Sequence, residues 1–312
     1  MKFLDVFSGI GGFRMGLEQA GHTCIGHIEV NEYARQAYEA IYDIKDHEFD
    51  GKDVTEIDDF GKLAGKYDIL AGGFPCQSFS IAGHRRGFDD TRGTMFFHLA
   101  RILEQTKPPL CLFENVKGLL SHDKGRTFET VLSTMDELGY DVEWEMLNSK
   151  DFGVPQNRER VYIVGHLRGR RTRKVFSNSG TTSKANDIEY TTTVPTKYRV
   201  AGGETYIASK QEILKVGGGE SQGNRVYSAE GLAVTQTAAS GGFGGKTGLY
   251  VIDERARKLT PRECWRLQGF PDWAFDRAKA TGLSDTQLYK QGGNAVTVNV
   301  VKWIGERIWV EK

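Results

Sequence analysis

The chain has 312 residues, 39% of them hydrophobic, and its 41 basic and 41 acidic side chains cancel to a formal net charge of zero. That length supports one large core with a smaller module beside it, and a neutral balance excludes a polyanion partner held by bulk charge alone. With no run of 18 apolar residues, no leader pattern and four cysteines lacking C-x-x-C spacing, the expectation is a cytoplasmic protein with no membrane span, no disulfide and no metal site.

Taken in chain order, Lys2 to Phe7 predicts a strand, Phe13 to Ala20 a helix, Thr23 to Ile28 a strand, and Asn31 to Ala40 a helix capped by Asn31. Residues 43 to 59 then hold eight acids against Lys45 and Lys52. Tyr67 to Ala71 and Leu110 to Phe113 read as further strands, with helices over Thr94 to Glu104 and Thr127 to Leu138. Repeated β-α alternation predicts an α/β fold, a mostly parallel sheet with helices on both faces. Arg168, Arg170, Arg171, Arg173 and Lys174 fall within seven residues; this run is either a solvated loop or a nucleic-acid patch. Twelve of the 48 residues from 201 to 248 are glycine, which predicts an irregular, loop-rich module. Helical patterning returns at Pro261 to Leu267, opened by Thr260 as N-cap, and Val296 to Trp309 reads as a closing helix.

Chemistry concentrates where strands end. The turn Asp5 to Phe13 is rich in glycine and leads into a helix N-terminus, which suits close approach of a cofactor; a tight packing turn is the competing reading. Glu29, closing the second strand, is placed to accept from ribose hydroxyls, and Asp53 to reach an adenine amino group. Cys76 follows a strand within Gly73-Phe-Pro-Cys-Gln77, and Glu114-Asn-Val116 ends another. A nucleophile and an acid therefore share one sheet edge. Cys24, Cys111 and Cys264 lie in apolar runs and read as buried structural thiols. Cys76 instead opens a polar segment containing Ser78, Ser80, Arg85 and Arg86, where cations favour the thiolate.

The ordered set Asp5-Val-Phe-Ser-Gly-Ile-Gly-Gly12, Gly73-Phe-Pro-Cys-Gln-Ser-Phe-Ser80, Glu114-Asn-Val116, Gln156-Asn-Arg-Glu-Arg160, Arg262-Glu-Cys264 and Gly293-Asn-Ala-Val296 resembles the DNA (cytosine-5) methyltransferases, most closely small bacterial restriction-modification enzymes. The likeness spans nearly the whole chain and is weakest from 175 to 215. It implies a Rossmann-like S-adenosylmethionine-binding domain, residues 1 to 174 and 256 to 312, and a target-recognition domain, 175 to 255. It implies Cys76 as the nucleophile at cytosine C6, Glu114 at N3, Arg160 and, more weakly, Arg158 at the base carbonyl, and Asn115 as a positioning residue. The cofactor would be held by Phe7, Gly9, Ile10, Gly11, Gly12, Glu29, Val30, Asp53, Pro75, Met95, Asn294 and Ala295. Double-stranded DNA would meet Ser80, Ile81, Arg85, Arg86, Gln222, Arg225, Thr235 and Lys246, with Arg225 forking onto a guanine and Gln222 filling the gap left by a flipped base. Loop 77 to 94 would close over that base. Two positions depart from the pattern: Val30, where some relatives carry an aromatic ring, and Gly292, where an apolar side chain is usual and whose glycine leaves the backbone less constrained. The resemblance implies a monomer, paired with a restriction endonuclease; the alternative substrate is cytosine in tRNA.

Overall fold

The computed structural model describes residues 1–75, 95–176, 212–218, 225–238, 248–252 and 254–311. Its strands are β1 (Lys2–Val6), β2 (Thr23–Ile28), β3 (Phe49–Gly51), β4 (Ile69–Gly73), β5 (Leu110–Val116), β6 (Tyr140–Asn148), β7 (Gln156–Asn157), β8 (Glu159–Leu167), β9 (Lys215–Gly218), β10 (Arg225–Ser228), β11 (Ala233–Val234), β12 (Leu249–Ile252) and β13 (Arg255–Arg257). Its helices are α1 (Gly12–Gln19), α2 (Glu32–Ile41), α3 (Met95–Thr106), α4 (Arg126–Glu137), α5 (Pro261–Arg266), α6 (Asp272–Ala280), α7 (Asp285–Asn294) and α8 (Val298–Gly305).

Seven strands form one sheet in the order β3-β2-β1-β4-β5-β8-β6. Adjacent strands pair in parallel except that β8 runs against both β5 and β6. Period-two alternation sends Leu70, Cys111 and Phe113 to the face covered by α3 and α4, and Ile69, Leu110 and Leu112 to the face covered by α1 and α8. Both faces are buried, which is why these strands read as continuous apolar runs. Helices α2, α5, α6 and α7 enclose a further cluster around Trp265.

Where the sequence predicts an irregular, loop-rich module, four short strands make a second sheet, β13-β12-β10-β9. β11 pairs with β7 and ties this region to the main domain. By packing, Val175 and Phe176 go with the large sheet and Arg255–Arg257 with the small one.

The basic run sits at the sheet edge opposite the catalytic motifs, because antiparallel β8 carries Leu167 back beside Leu110. Arg168 pairs with Asp136 and Asp141, Arg171 with Glu311, and Arg173 lies over the Trp309 ring. These partners offset its charge locally. Among the described residues no helix is long and apolar enough to cross a membrane.

Candidate active site

A cavity of about 600 Å³ opens at the C-terminal ends of β1, β2, β4 and β5, within the roughly 300–1,000 Å³ typical of small-molecule sites. At one end the strand-to-helix turn after β1 bends sharply. Phe7 adopts φ 57° and Gly9 φ 56°, a left-handed region that a phenylalanine rarely enters. The turn exposes the Gly9 amide, which donates to Glu29 Oε2 at 2.8 Å, while the Asn31 amide donates to Glu29 Oε1 at 2.8 Å. Two backbone donors thus fix this carboxylate in one orientation, and each oxygen keeps a second acceptor site. Asn31 also caps α2 through its side chain, accepting from the Ala34 amide at 3.0 Å. Asp53 lies two residues past β3, not at its end; its carboxylate accepts from the Thr55 amide at 2.8 Å, and that bond holds its pKa below the usual value.

At the other end stand Glu114 and Arg160. Glu114 is opposite Tyr162 and Arg160 opposite Val116 in the β5–β8 ladder, so the two side chains lie diagonally on one face. Arg160 Nε meets Glu114 Oε1 at 3.0 Å, and Arg160 Nη1 donates to the Glu159 carbonyl at 2.8 Å. Among the described residues the second terminal amine of Arg160 has no hydrogen-bond partner. A Cβ placed on Gly73, the β4 residue paired with Glu114, would stand 3.2 Å from Glu114 Oε2, so the glycine keeps that oxygen accessible. Asn115 is buried and donates through Nδ2 to the Phe74 carbonyl at 2.9 Å, holding the chain immediately before Pro75.

Arg158 has different surroundings from those expected. It is 2% exposed, and its terminal amines donate to the carbonyls of Gln236 (3.0 Å), Gly293 (3.2 Å) and Ala295 (2.9 Å). Burial first, and the Arg160 charge second, pull its pKa below the usual arginine range. These bonds join the chain after β11 to the end of α7. The same junction needs Gly293, since a Cβ there would stand 2.2 Å from the Thr237 carbonyl oxygen.

The cavity wall contains Phe7, Gly9, Ile10, Gly12, Glu29, Val30, Asp53, Pro75, Met95, Asn294 and Ala295, together with Glu114, Asn115, Arg158 and Arg160. Gly11 lies behind the wall. Its φ is 79°, the Tyr42 hydroxyl donates to its carbonyl at 2.5 Å, and a Cβ would collide with the Tyr42 ring at 2.3 Å, so this glycine serves packing. Val30 is 67% exposed at the cavity rim. Gly292, expected to loosen the backbone, is in α7 with Trp265 Cδ1 2.9 Å from where its Cβ would be; the buried indole fills the place of the missing side chain. Thr235 directs its hydroxyl to the Asn157 carbonyl at 2.6 Å, and Arg225 opens β10, half-buried. Cys76, Ser80, Ile81, Arg85, Arg86, Gln222 and Lys246, and the proposed closing loop, lie outside the described residues. The other three cysteines are buried, and burial raises each thiol, Cys24 and Cys264 to about 12. None of the three resembles a poised nucleophile. Sequence reasoning missed Gln287, Lys290 and Gln291 on α7, which face the cavity within two helical turns before Asn294. Their spacing of three and four residues was the available signal.

A family model for C-5 cytosine-specific DNA methylases matches residues 1–309. The chain belongs to that family. It is 37% identical over 325 residues to the type II methyltransferase M.HhaI of Haemophilus parahaemolyticus, covering 99% of this chain and 94% of that one. It is 39% identical over 329 residues to M.HpaII of Haemophilus parainfluenzae, covering 98% and 88%. Among solved structures it resembles the S. pombe Dnmt2 methyltransferase, with TM-score 0.68 and 20% identity over 97% of this chain and 96% of that one. It also resembles a DNA modification methyltransferase encoded within an E. coli prophage, with TM-score 0.63 and 19% identity over 98% and 97%. At those identities the structural likeness shows the fold, a mixed α/β methyltransferase fold, and the curated relatives carry the activity: this chain is a DNA (cytosine-5) methyltransferase.

Proposed function

We propose that this methylase transfers the methyl group of S-adenosylmethionine to C5 of a cytosine flipped out of duplex DNA at a short specific sequence, through a covalent bond between Cys76 and C6. The supporting observation is one continuous cavity with an amide-fixed carboxylate, Glu29, at one end and the Arg160–Glu114 pair at the other. The donor set fits the cofactor: Glu29 suits ribose hydroxyls, Asp53 an adenine amine, and the turn from Phe7 to Gly9 admits close backbone approach. When bound, that group supplies an electrophilic methyl on a sulfonium.

Cytosine C5 is a weak carbon nucleophile, so the Cys76 thiolate first adds to C6 and breaks the C5–C6 double bond. Glu114, in its acid form, gives a proton to N3 as the addition proceeds. Arg160, already oriented by Glu114 and the Glu159 carbonyl, uses its remaining amine on the base carbonyl and stabilises the charge there. Once C5 carries the methyl, water takes the C5 proton, the C5–C6 double bond re-forms as the Cys76 thiolate leaves, and N3 returns its proton to Glu114. Arg158 acts as a positioning residue, because its terminal amines are engaged with three backbone carbonyls. Asn115 holds Phe74-Pro75, so the strand end feeding Cys76 keeps its place. The region from 175 to 255, with its second sheet and its glycine-rich sequence, is the target-recognition domain, and Arg225 and Gln222 are its base-reading candidates.

The chain works beside a restriction endonuclease, as the type II names of its relatives suggest, and as a monomer, since one chain carries every motif. Incubation of the purified protein with labelled cofactor and either plasmid or tRNA tests the substrate. Label in the plasmid supports this reading, and label confined to tRNA rejects it.

A further inference from the structure

The basic run from 168 to 174 takes no part in the chemistry above, yet the structure gives it a defined shape. Thr172 bridges Val310 in antiparallel fashion, the Glu311 amide donates to the Arg171 carbonyl at 3.0 Å, and the Arg173 amide donates to the Trp309 carbonyl at 3.3 Å. The run and the C-terminal segment thus form a short ribbon. Thr172 turns toward the buried His166, its hydroxyl 2.9 Å from Nδ1, and Glu143 holds the other ring nitrogen at 2.9 Å. Alternation along an extended chain then sends Arg171 and Arg173 to the outer face, where they meet their cross-strand neighbours, Glu311 and the Trp309 ring.

Carboxylates offset two of the five cations, Arg168 through Asp136 and Asp141, and Arg171 through Glu311. Arg170, Arg173 and Lys174 are exposed and, among the described residues, have no carboxylate partner. In a chain of zero net charge, three such cations held within five residues beside a 46% exposed Trp309 make a local positive surface. Guanidinium groups fork onto phosphate oxygens, a contact that positions a duplex without reading its sequence. Strand β8, roughly 30 Å from end to end, separates this surface from Arg160 and Glu114. We infer that the ribbon is a second, sequence-independent surface for the duplex DNA backbone, holding a segment other than the one being methylated. One molecule then grips two duplex segments at once and passes between them without release.

Two short duplexes of random sequence, one carrying a donor dye and the other an acceptor, test this with the full chain. The variants are R170Q/R173Q/K174Q and the charge-retaining R170K/R173K, each checked by thermal unfolding. The natural chain should bring the dyes together at low salt, and energy transfer should fall at least fivefold in the glutamine variant while the lysine variant keeps most of it. Methyl transfer to plasmid cut into short fragments should stay within about twofold in both. Equal energy transfer in the natural chain and the glutamine variant would overturn the assignment, as would none with the natural chain or preferential displacement by single-stranded RNA. A parallel loss of methyl transfer to short fragments would also overturn it, by placing the run on the surface that holds the methylated segment.

Discussion

Glu114 pairs with Arg160 at 3.0 Å and, in the proposed reaction, gives a proton to the base. Replacing Glu114 with Gln keeps the shape and removes the proton transfer. The turnover number should fall by about 10²–10⁴, the usual worth of a positioned acid, with cofactor affinity within about threefold of the natural chain in calorimetry. Asp5 gives a residue-scale test of stability. It is fully buried in β1, and burial raises its pKa to about 8 against the opposing charge of Arg14. The folded state therefore keeps a proton that the unfolded state loses near pH 4, and stability declines as pH rises from about 4 to 8. His27, its neighbour in β2, has a pKa lowered to about 4 by burial, so its contribution declines in the other direction, as pH falls below 6.5. The two oppose each other below 6.5, and above it Asp5 acts alone. Between pH 6.5 and 8 the natural chain should lose about 2 kcal/mol through this group, at roughly 1.4 kcal/mol per pH unit. Chemical denaturation of Asp5→Asn across that window should show the decline abolished relative to the natural chain.

At the scale of elements, the segments legible in the sequence were those whose local signals agree. Strand β2 and the Asn31-capped helix α2 have apolar periodicity and capping chemistry pointing to the same ends. Helix α5 opens on a reciprocal capping box, Thr260 with Glu263, behind which Pro261 occupies the first turn. Thr260→Ala should cost about 1 kcal/mol, read as a lower denaturation midpoint with unchanged slope. The second sheet was not legible. Its strands are three or four residues long, β9 reads Lys-Val-Gly-Gly, and β10 pairs in parallel with β12 across more than 20 residues of chain, a non-local choice that no local pattern encodes. Helix α7 was hidden for a similar reason, because Gly292 and Gly293 weaken its helical signal and are retained for packing on Trp265 and on the Thr237 backbone. Gly293→Ala places a methyl within 2.2 Å of that carbonyl oxygen. It should reduce stability and DNA binding together, measured by thermal unfolding and duplex titration.

Across the whole molecule, the site is assembled from segments remote in sequence and adjacent at one edge of the sheet. The turn after β1, the ends of β4 and β5, the start of antiparallel β8 and the end of α7 all border one cavity. Motif order made most of these residues legible beforehand, because strand ends in an α/β sheet converge on one edge. The direction of β8 was not foreseen, and it matters twice. It brings Arg160 to the reacting edge beside Glu114, and it carries the basic run from 168 to 174 to the opposite edge. The Arg158 contacts were likewise illegible, since its three carbonyl partners are supplied by chain 78 to 137 residues away. The central claim joins this architecture to one thiol, and nucleoside mass spectrometry of plasmid DNA tests it most directly. Plasmid from cells producing the natural chain should contain 5-methyldeoxycytidine, and plasmid from cells producing Cys76→Ala should contain none. 5-Methyldeoxycytidine at the natural level in the Cys76→Ala sample would contradict the account.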